Sequence, residues 1–212
     1  MTKTEALDWI KRTKIVPVIR ASSPEAAMKV VLALIEGGID VLEITMTVPG
    51  AIDLIHDVSH EFSDRALIGA GTVYDPDTAA ACIGAGARFI VGPCISIPTI
   101  KFCNELGILV APGALTPTEI VAAWQNGADI VKVFPCDAAG GPSYIKSLKA
   151  PFPHIPLMPT GGVSLSTAAD FLKAGAVAVG AGNSLVDPQL IKEGKFEQLT
   201  ERSIAFREAI SG

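Results

Sequence analysis

The 212-residue chain predicts an α/β protein, a (β/α)₈ TIM barrel with an extra N-terminal helix, in one domain spanning residues 1–212. Eight short apolar runs recur along the chain, with starts about 20 to 26 residues apart. Segments with helix start and stop signals lie between them. The runs are nearly all apolar, which is typical of parallel strands buried on both faces of a sheet.

The eight apolar runs are the predicted strands. In chain order they are IVPVIR (15–20), VLEITMT (41–47), ALIGAGT (66–72), RFIVGP (88–93), ILVAPG (108–113), DIVKVFP (129–135), IPLMPTGG (155–162) and AVAVGAG (176–182). Strands that alternate with helices form βαβ units and a parallel sheet. An open doubly wound sheet is the main alternative, but no GxGxxG pattern follows the first run.

The intervening segments carry the signals of helix ends. Segments 23–38, 116–127 and 164–175 open with Ser or Thr in a capping position, or with Pro in the first turn, and close with Gly. The amphipathic stretch 2–13 predicts an additional helix before the first strand. Residues 194–210 predict the helix that closes the chain.

Composition narrows the class of partner. Hydrophobic residues make up 49% of the chain and charged residues 18%, a balance typical of a globular protein. The net charge of −5 argues against a nucleic-acid partner. No apolar run approaches the roughly 18 residues of a membrane span, and the charged N-terminus lacks a signal core. We therefore expect a cytoplasmic protein that needs no membrane.

Metal binding is not expected from the sequence. The four cysteines lack paired metal-ligand spacing, so small buried or half-buried thiols are expected at Cys82, Cys94, Cys103 and Cys136. His56 and His60 have a helical spacing that suits metal ligands, but their helix would lie outside the barrel with a solvated face. We expect neither a metal nor another cofactor.

Two charged residues interrupt apolar strands: Glu43 in VLEIT and Lys132 in DIVKVF. Barrel active sites lie at the C-terminal ends of the strands, and strand side chains alternate between faces. If the inward face is the one that carries these charges, Glu43, Lys132 and Arg20 meet at the barrel mouth. The alternative is a structural buried ion pair, or a lysine that extends to the rim, because an unpaired buried charge is costly.

A lysine next to a carboxylate suits Schiff-base chemistry. In a partly desolvated pocket more of the amine is neutral, and the neutral amine attacks a ketone carbon. The resulting iminium ion draws electrons from adjacent carbons and lowers the barrier to carbon–carbon cleavage. Glu43 would carry the protons, directly or through water. Lys132 and Glu43 are therefore the candidate catalytic residues.

Glycine clusters end the seventh and eighth strands, where barrels often hold a phosphate. Glycine lets backbone N–H groups approach an anion, and a helix beginning near Ser164 would favour its charge. The alternative is that these glycines only permit tight turns. The candidate phosphate-binding residues are Gly161, Gly162, Gly182 and Asn183.

The chain resembles the 2-keto-3-deoxy-6-phosphogluconate (KDPG) aldolases, which overlap with the 4-hydroxy-2-oxoglutarate (KHG) aldolases. The resemblance is carried by VPVIR (16–20), LEIT (42–45), GAGT (69–72), VGP (91–93), PG (112–113), VKVFP (131–135) and PTGG (159–162), in the order of the family and over nearly the whole chain. It implies a class I aldolase of the Entner–Doudoroff pathway, usually a homotrimer, that cleaves KDPG to pyruvate and glyceraldehyde 3-phosphate.

The resemblance also implies roles for individual residues. Lys132 would be the Schiff-base lysine and Glu43 the general acid and base. The keto-acid pocket would be shaped by Thr72, Pro93, Phe134 and Thr160, and the phosphate held at Gly161, Gly162 and the segment at Gly182.

Two positions depart from the family. Thr47 stands where many members have the arginine that holds the substrate carboxylate, so Arg20 would take that task, with Thr47 still in the substrate-binding set. Asn183 stands where a serine is common, but its backbone N–H remains available for a phosphate.

Two other functions remain compatible with these patterns. One is a phosphate-binding barrel isomerase or synthase in which Lys132 is only an electrostatic clamp. The other is a sugar-phosphate binding protein without catalysis, which the pair of Glu43 and Lys132 argues against. Fold alone does not separate these functions.

Overall fold

Parallel strands and helices alternate along the chain in the computed structural model, which describes residues 1–211. The strands are β1 Ile15–Ile19, β2 Val41–Thr45, β3 Leu67–Gly71, β4 Phe89–Val91, β5 Leu109–Ala111, β6 Gly113–Ala114, β7 Val131–Val133, β8 Leu157–Pro159 and β9 Val179–Ala181. The helices are α1 Lys3–Thr13, α2 Pro24–Glu36, α3 Ala51–Glu61, α4 Pro76–Gly84, α5 Ile97–Glu105, α6 Pro117–Gln125, α7 Pro142–Lys149, α8 Ala168–Lys173, α9 Pro188–Lys192 and α10 Phe196–Ser211. The alternation confirms an α/β fold with parallel sheets.

The strands form two sheets. One has six strands in the order β5-β4-β3-β2-β1-β9, and the other has three in the order β6-β7-β8. The predicted fifth strand, 108–113, is interrupted: β5 lies within it, β6 begins at its last residue and extends to Ala114, and Pro112, which has no N–H for a ladder, lies between them. At the other end, Thr160 directly after β8 pairs with Gly180 in β9 in an isolated parallel bridge.

Buried side chains separate into two clusters, one on each face of the strands. The larger cluster joins the strands to the outer helices. The smaller one contains Val16, Val41 and Ile130 together with Ala6 and Ile10 of α1. Since strand side chains alternate, Arg20, Glu43 and Lys132 belong to the same strand faces as these three residues. The face predicted for the charged groups is therefore the inner face, covered at the N-terminal ends of the strands by α1.

Helix α1 is fixed by a capping box at its start and by the polar contacts of Lys3 in its first turn. Thr2 forms a capping box with Glu5, since each side chain accepts from the other's backbone N–H. The Lys3 ammonium lies 3.0 Å from Asp129 Oδ2 and also donates to the side chain of Asn104. The predicted extra N-terminal helix is thus confirmed, and it packs against the bottom of the strands.

One predicted helix start is wrong. The sequence placed a helix N-terminus near Ser164, but α8 begins at Ala168. The Ser164 N–H donates to Thr167 Oγ1, and this hydroxyl donates to the Gly162 carbonyl. These bonds hold the backbone in a turn, which competes with the helix. Among the helices of residues 1–211, none combines the length and the apolar character needed to cross a membrane.

Candidate active site

Glu43 and Lys132 lie together deep in the protein. The Glu43 residue is 1% exposed and Lys132 is 5% exposed. Lys132 Nζ lies 3.7 Å from Glu43 Oε1 and 5.4 Å from the centroid of the Phe134 ring. Neither carboxylate oxygen of Glu43 has a hydrogen-bond partner among residues 1–211. A buried carboxylate with free acceptor positions beside an amine is arranged to receive protons rather than to complete a structural hydrogen-bond network.

Glycine in β3 makes room for the buried glutamate. A Cβ built on Gly71 would overlap the carboxylate of Glu43, and one on Gly69 would overlap the ring of Phe89. Both glycines share the inner face of β3 with the buried Leu67, so β3 contributes no side-chain bulk beside Glu43. The GAGT motif thus has a direct packing reason, which is space for a carboxylate supplied by β2.

A cavity of about 490 Å³ opens above Lys132. Eight predicted site residues line it: Arg20, Lys132, Phe134, Thr160, Gly161, Gly162, Gly182 and Asn183. Thr160 is 7% exposed, and its hydroxyl has no hydrogen-bond partner among residues 1–211. The cavity therefore combines an amine, an unused hydroxyl and two glycine loops.

The remaining predicted residues lie outside the lining of this cavity. Glu43 is buried near Lys132, whereas Thr47, Thr72 and Pro93 follow β2, β3 and β4. Thr72 has φ +62°, a left-handed conformation that is rare for a β-branched residue. Such strain is tolerated where the surroundings enforce it and is concentrated at functional sites.

Thr47 is exposed, and its hydroxyl is already engaged. Thr45 Oγ1 donates to the Ile19 carbonyl at 2.9 Å, and it lies 2.6 Å from Thr47 Oγ1. Because a hydroxyl has one hydrogen, Thr47 must be the donor to Thr45. Thr47 then offers only lone pairs to a ligand, so it cannot donate a hydrogen bond to a carboxylate in this arrangement.

Arg20 is the exposed cation at the cavity. It directly follows β1 and forms no ion pair with any residue in 1–211. The surface ion pair that would explain it as a purely structural residue is therefore missing within the described chain. Its guanidinium is free to bind a carboxylate or phosphate through two parallel hydrogen bonds.

The two glycine loops present backbone donors. Gly161 and Gly162 have φ of +98° and +73°, conformations that favour glycine. The N–H groups of Gly162, Val163 and Asn183 donate to no other backbone group within residues 1–211. Successive free N–H groups of this kind form a concave anion-binding surface even without a helix N-terminus.

Six further residues line the cavity wall that sequence reasoning did not assign to the site: Val18, Asp137, Val163, Ser164, Gly180 and Ser184. Asp137 is the first residue of the short 3₁₀ helix Asp137–Ala139, and a Cβ on Gly161 would lie 2.7 Å from its Oδ1. Ser184 comes directly after Asn183, so it could have been found by extending the eighth predicted loop by one residue.

The histidines and cysteines lie apart from this cavity. His56 and His60 are both exposed, as predicted, with ring centroids 4.5 Å apart on α3. Three cysteines are buried, but Cys94 is exposed, which corrects the expectation for that residue because it lies in the loop after β4. Within residues 1–211 no group of three or more His, Cys, Asp or Glu side chains is arranged to hold a metal ion.

Comparison with known proteins decides the family. A sequence profile described as "Aldolase: KDPG and KHG aldolase" matches residues 7–202. The chain belongs to the KDPG and KHG aldolase family. Members of this family align with it over nearly its full length.

Two curated relatives and one solved structure illustrate the similarity. The 2-dehydro-3-deoxy-phosphogluconate aldolase of Dickeya dadantii is 33% identical over 99% of this chain and 97% of its own. The 2-dehydro-3-deoxy-6-phosphogalactonate aldolase of Escherichia coli is 34% identical, over 96% and 100%. The KDPG aldolase of Legionella pneumophila, solved with pyruvate captured as a covalent carbinolamine, has a TM-score of 0.89 at 31% identity and covers 96% of this chain and 98% of its own.

Proposed function

We propose that this KDPG and KHG family member is a class I aldolase that cleaves 2-keto-3-deoxy-6-phosphogluconate, or a close 2-keto acid, to pyruvate and glyceraldehyde 3-phosphate. The observation that carries the proposal is the buried Lys132 amine, 3.7 Å from the Glu43 carboxylate, at a cavity with a free arginine and two glycine loops. The covalent pyruvate complex of the Legionella pneumophila relative supports Schiff-base chemistry in the family.

The first half of the reaction forms the Schiff base. The neutral Lys132 amine attacks the C2 ketone, and the carbonyl oxygen gains a proton to give a carbinolamine. Loss of water leaves a protonated imine. Glu43 is close enough to the amine to pass protons to and from this nitrogen, directly or through one water. The Phe134 ring stabilises a cation at this nitrogen, since its centroid is 5.4 Å from Nζ.

The second half breaks the C3–C4 bond. A base removes the proton of the C4 hydroxyl, the C3–C4 electrons move towards the iminium nitrogen, and glyceraldehyde 3-phosphate leaves. The enamine that remains is protonated at C3, and water releases pyruvate and restores Lys132. Glu43 alternates between base and acid in these steps. The free acceptor positions on both of its oxygens suit this task.

The two ends of the substrate are anionic, and the cavity has a group for each. Arg20 binds the carboxylate next to the ketone, because Thr47 is committed as a donor to Thr45. The free N–H groups around Gly162 and Asn183 bind the phosphate. Thr72, Pro93, Phe134 and Thr160 shape the space between these ends.

The decisive experiment is trapping of the covalent intermediate. The purified protein is incubated with pyruvate and borohydride, and the modified peptide is identified by mass spectrometry. We expect one adduct, on Lys132. In parallel, kinetics with 2-keto-3-deoxy-6-phosphogluconate, with its galactonate epimer 2-keto-3-deoxy-6-phosphogalactonate and with unphosphorylated keto acids identify the preferred substrate. An isomerase or synthase that uses Lys132 only as a clamp would give no adduct.

We also infer a single closed domain. The continuity of β5 and β6 across Pro112 and the Thr160–Gly180 bridge support an eight-stranded barrel that joins the two sheets. A homotrimer is the assembly that the family resemblance implies. Size-exclusion chromatography with light scattering tests the homotrimer, with an expected mass about three times that of the 22.0 kDa chain.

A further inference from the structure

Ser184 connects the two glycine loops of the cavity. Its hydroxyl donates to the Val163 carbonyl at 2.5 Å, and both residues line the cavity wall. A hydroxyl carries one hydrogen, so this bond leaves Ser184 no proton to donate to a phosphate. The serine therefore acts on the neighbouring backbone. It fixes the distance between the loop after β8 and the loop after β9.

A charged residue on the last helix holds Ser184 from behind. Arg202 of α10 donates through one guanidinium nitrogen to the Ser184 carbonyl at 3.2 Å. The same nitrogen lies 3.0 Å from Asp187 Oδ2. Arg202 thus links α10 to the loop after β9 at two points, three residues apart.

Asp187 is itself fixed, so the link is not a loose surface ion pair. Its other oxygen accepts from the Gln189 N–H at 2.8 Å and caps α9. This hydrogen bond, with a further contribution from the charge of Arg202, lowers the pKa of the Asp187 carboxyl below its ordinary value of 3.8. The carboxylate is therefore ionised at neutral pH and holds the guanidinium in place.

We propose that Arg202 and Ser184 are positioning residues that hold the two glycine loops together and thereby determine the preference for a phosphorylated substrate. The inference rests on the proposed aldolase function. A phosphate bound by backbone N–H groups from both loops requires Gly162, Val163 and Asn183 to lie around one anion. When the two loops are already held in this arrangement, binding of the phosphate does not have to supply the free energy of ordering them.

The effect should be confined to the phosphate end of the substrate. Lys132, Glu43 and Arg20 belong to β7, β2 and the end of β1, so their positions do not depend on the Ser184 bond. The loops come from β8 and β9, which carry no residue of the proposed proton or imine chemistry. Loosening the loops should weaken phosphate binding and leave the reaction steps intact.

The test compares Ser184→Ala and Arg202→Met with the wild-type protein on two substrates, 2-keto-3-deoxy-6-phosphogluconate and its unphosphorylated counterpart. Arg207→Met is the matched control, because Arg207 is an exposed arginine on the same helix that lies near Gly38, away from the loops. Inorganic phosphate serves as a competitive inhibitor. Borohydride trapping of pyruvate on Lys132 measures Schiff-base formation with a substrate that carries no phosphate.

We expect both variants to raise KM for the phosphorylated substrate by about three- to tenfold, the scale of one lost hydrogen bond, with kcat within about twofold. Inhibition by inorganic phosphate should weaken by a similar factor. Catalytic efficiency for the unphosphorylated substrate and the rate of pyruvate trapping should stay at the wild-type level. Ser184→Thr, which keeps the hydroxyl, should restore most of the loss.

Three outcomes overturn the inference. They are an unchanged KM and phosphate inhibition in Arg202→Met, an equal loss with both substrates, and a wild-type protein that does not prefer the phosphorylated substrate. Should Ser184→Ala fail to fold, Arg202→Met carries the test, since it leaves the serine bond in place. Failure of the aldolase function itself gives a different result, the absence of a pyruvate adduct in the wild-type protein.

Discussion

Glu43 and Lys132 come from strands on different sheets, yet Glu43 Oε1 and Lys132 Nζ lie 3.7 Å apart in a site almost closed to solvent. The separation is longer than a hydrogen bond, and both Glu43 oxygens lack a partner among residues 1–211. A pair that served only stability would be expected to close to hydrogen-bond distance, because an imperfect buried pair does not offset its desolvation. Both Glu43 oxygens therefore keep acceptor positions that a protonated group can use.

Replacing Lys132 tests the nucleophile. Lys132→Ala should abolish cleavage and borohydride-dependent labelling by pyruvate. Lys149→Ala is the matched control: burial lowers the pKa of Lys149, and its ammonium is bound to the carbonyls of Pro153 and Ile155. We expect this control to keep its label. Labelling of Lys132→Ala at another lysine would contradict the assignment.

Replacing Glu43 tests proton transfer. Glu43→Gln keeps the shape of the side chain, so the fold should persist while activity falls by roughly 10²- to 10⁴-fold, the range for lost acid–base catalysis. Slow trapping of pyruvate should remain measurable because the amine is intact. Wild-type turnover in this variant would mean that Glu43 is only a structural partner of Lys132.

Gly71 gives a second test of the same carboxylate. Gly71→Ala places a methyl group where the Glu43 carboxylate lies, so either Glu43 moves or the strand shifts. Turnover should fall by at least about tenfold. Gly84→Ala is the control, since a Cβ there meets no atom within 4 Å. Comparable turnover in both variants would show that the position of Glu43 is not critical.

Arg20 is expected to bind the substrate carboxylate. Arg20→Ala should lower kcat/KM for phosphorylated and unphosphorylated keto acids alike. The expected loss corresponds to about 1.5–3 kcal/mol of transition-state stabilisation, the scale of a charge-assisted hydrogen bond. The melting temperature should barely change, because Arg20 is exposed and forms no ion pair within residues 1–211. Adding Thr47→Arg to this variant should restore part of the efficiency. A loss restricted to phosphorylated substrates would assign Arg20 to the phosphate instead.

The cysteines provide a test of the core. Burial raises the pKa of Cys82 and Cys103 to about 11 and that of Cys136 to about 12, whereas Cys94 is exposed. A disulfide reagent at pH 8 should therefore modify one thiol quickly in the folded protein and four in denaturant. Cys94→Ser should remove the fast reaction. Rapid modification of a second thiol in the native state would contradict the packing described for these residues.

The same pKa values give stability a pH dependence. Between the ordinary thiol value of 9.0 and about 11, unfolded cysteines ionise while the buried ones stay protonated. The unfolded state then binds fewer protons than the native state, so the free energy of unfolding falls as pH rises through this window. Urea titrations at pH 8 and pH 10 should show the decrease, and replacing Cys136 with alanine should reduce its slope.

Local sequence patterns were sufficient for the alternation of strands and helices and for the two charged residues, whereas the packing of α1 against Val16, Val41 and Ile130 was needed to show which strand face is the inner one. Apolar runs and capping residues act within a few neighbours, so they determine the elements themselves. Two charges that each interrupt an apolar strand could be recognised in the same way, since burial of an unpaired charge is costly. The motifs around them were enough to recognise the family.

Only the tertiary structure decided how residues far apart in the chain meet. The spacing of 3.7 Å between Glu43 and Lys132, and the hydrogen bond from the Thr45 hydroxyl to the Ile19 carbonyl, depend on the pairing and stagger of strands. The link from Arg202 to Ser184 joins residues 18 apart through a packed helix. Long-range packing selects such contacts, and no periodicity in the sequence records them.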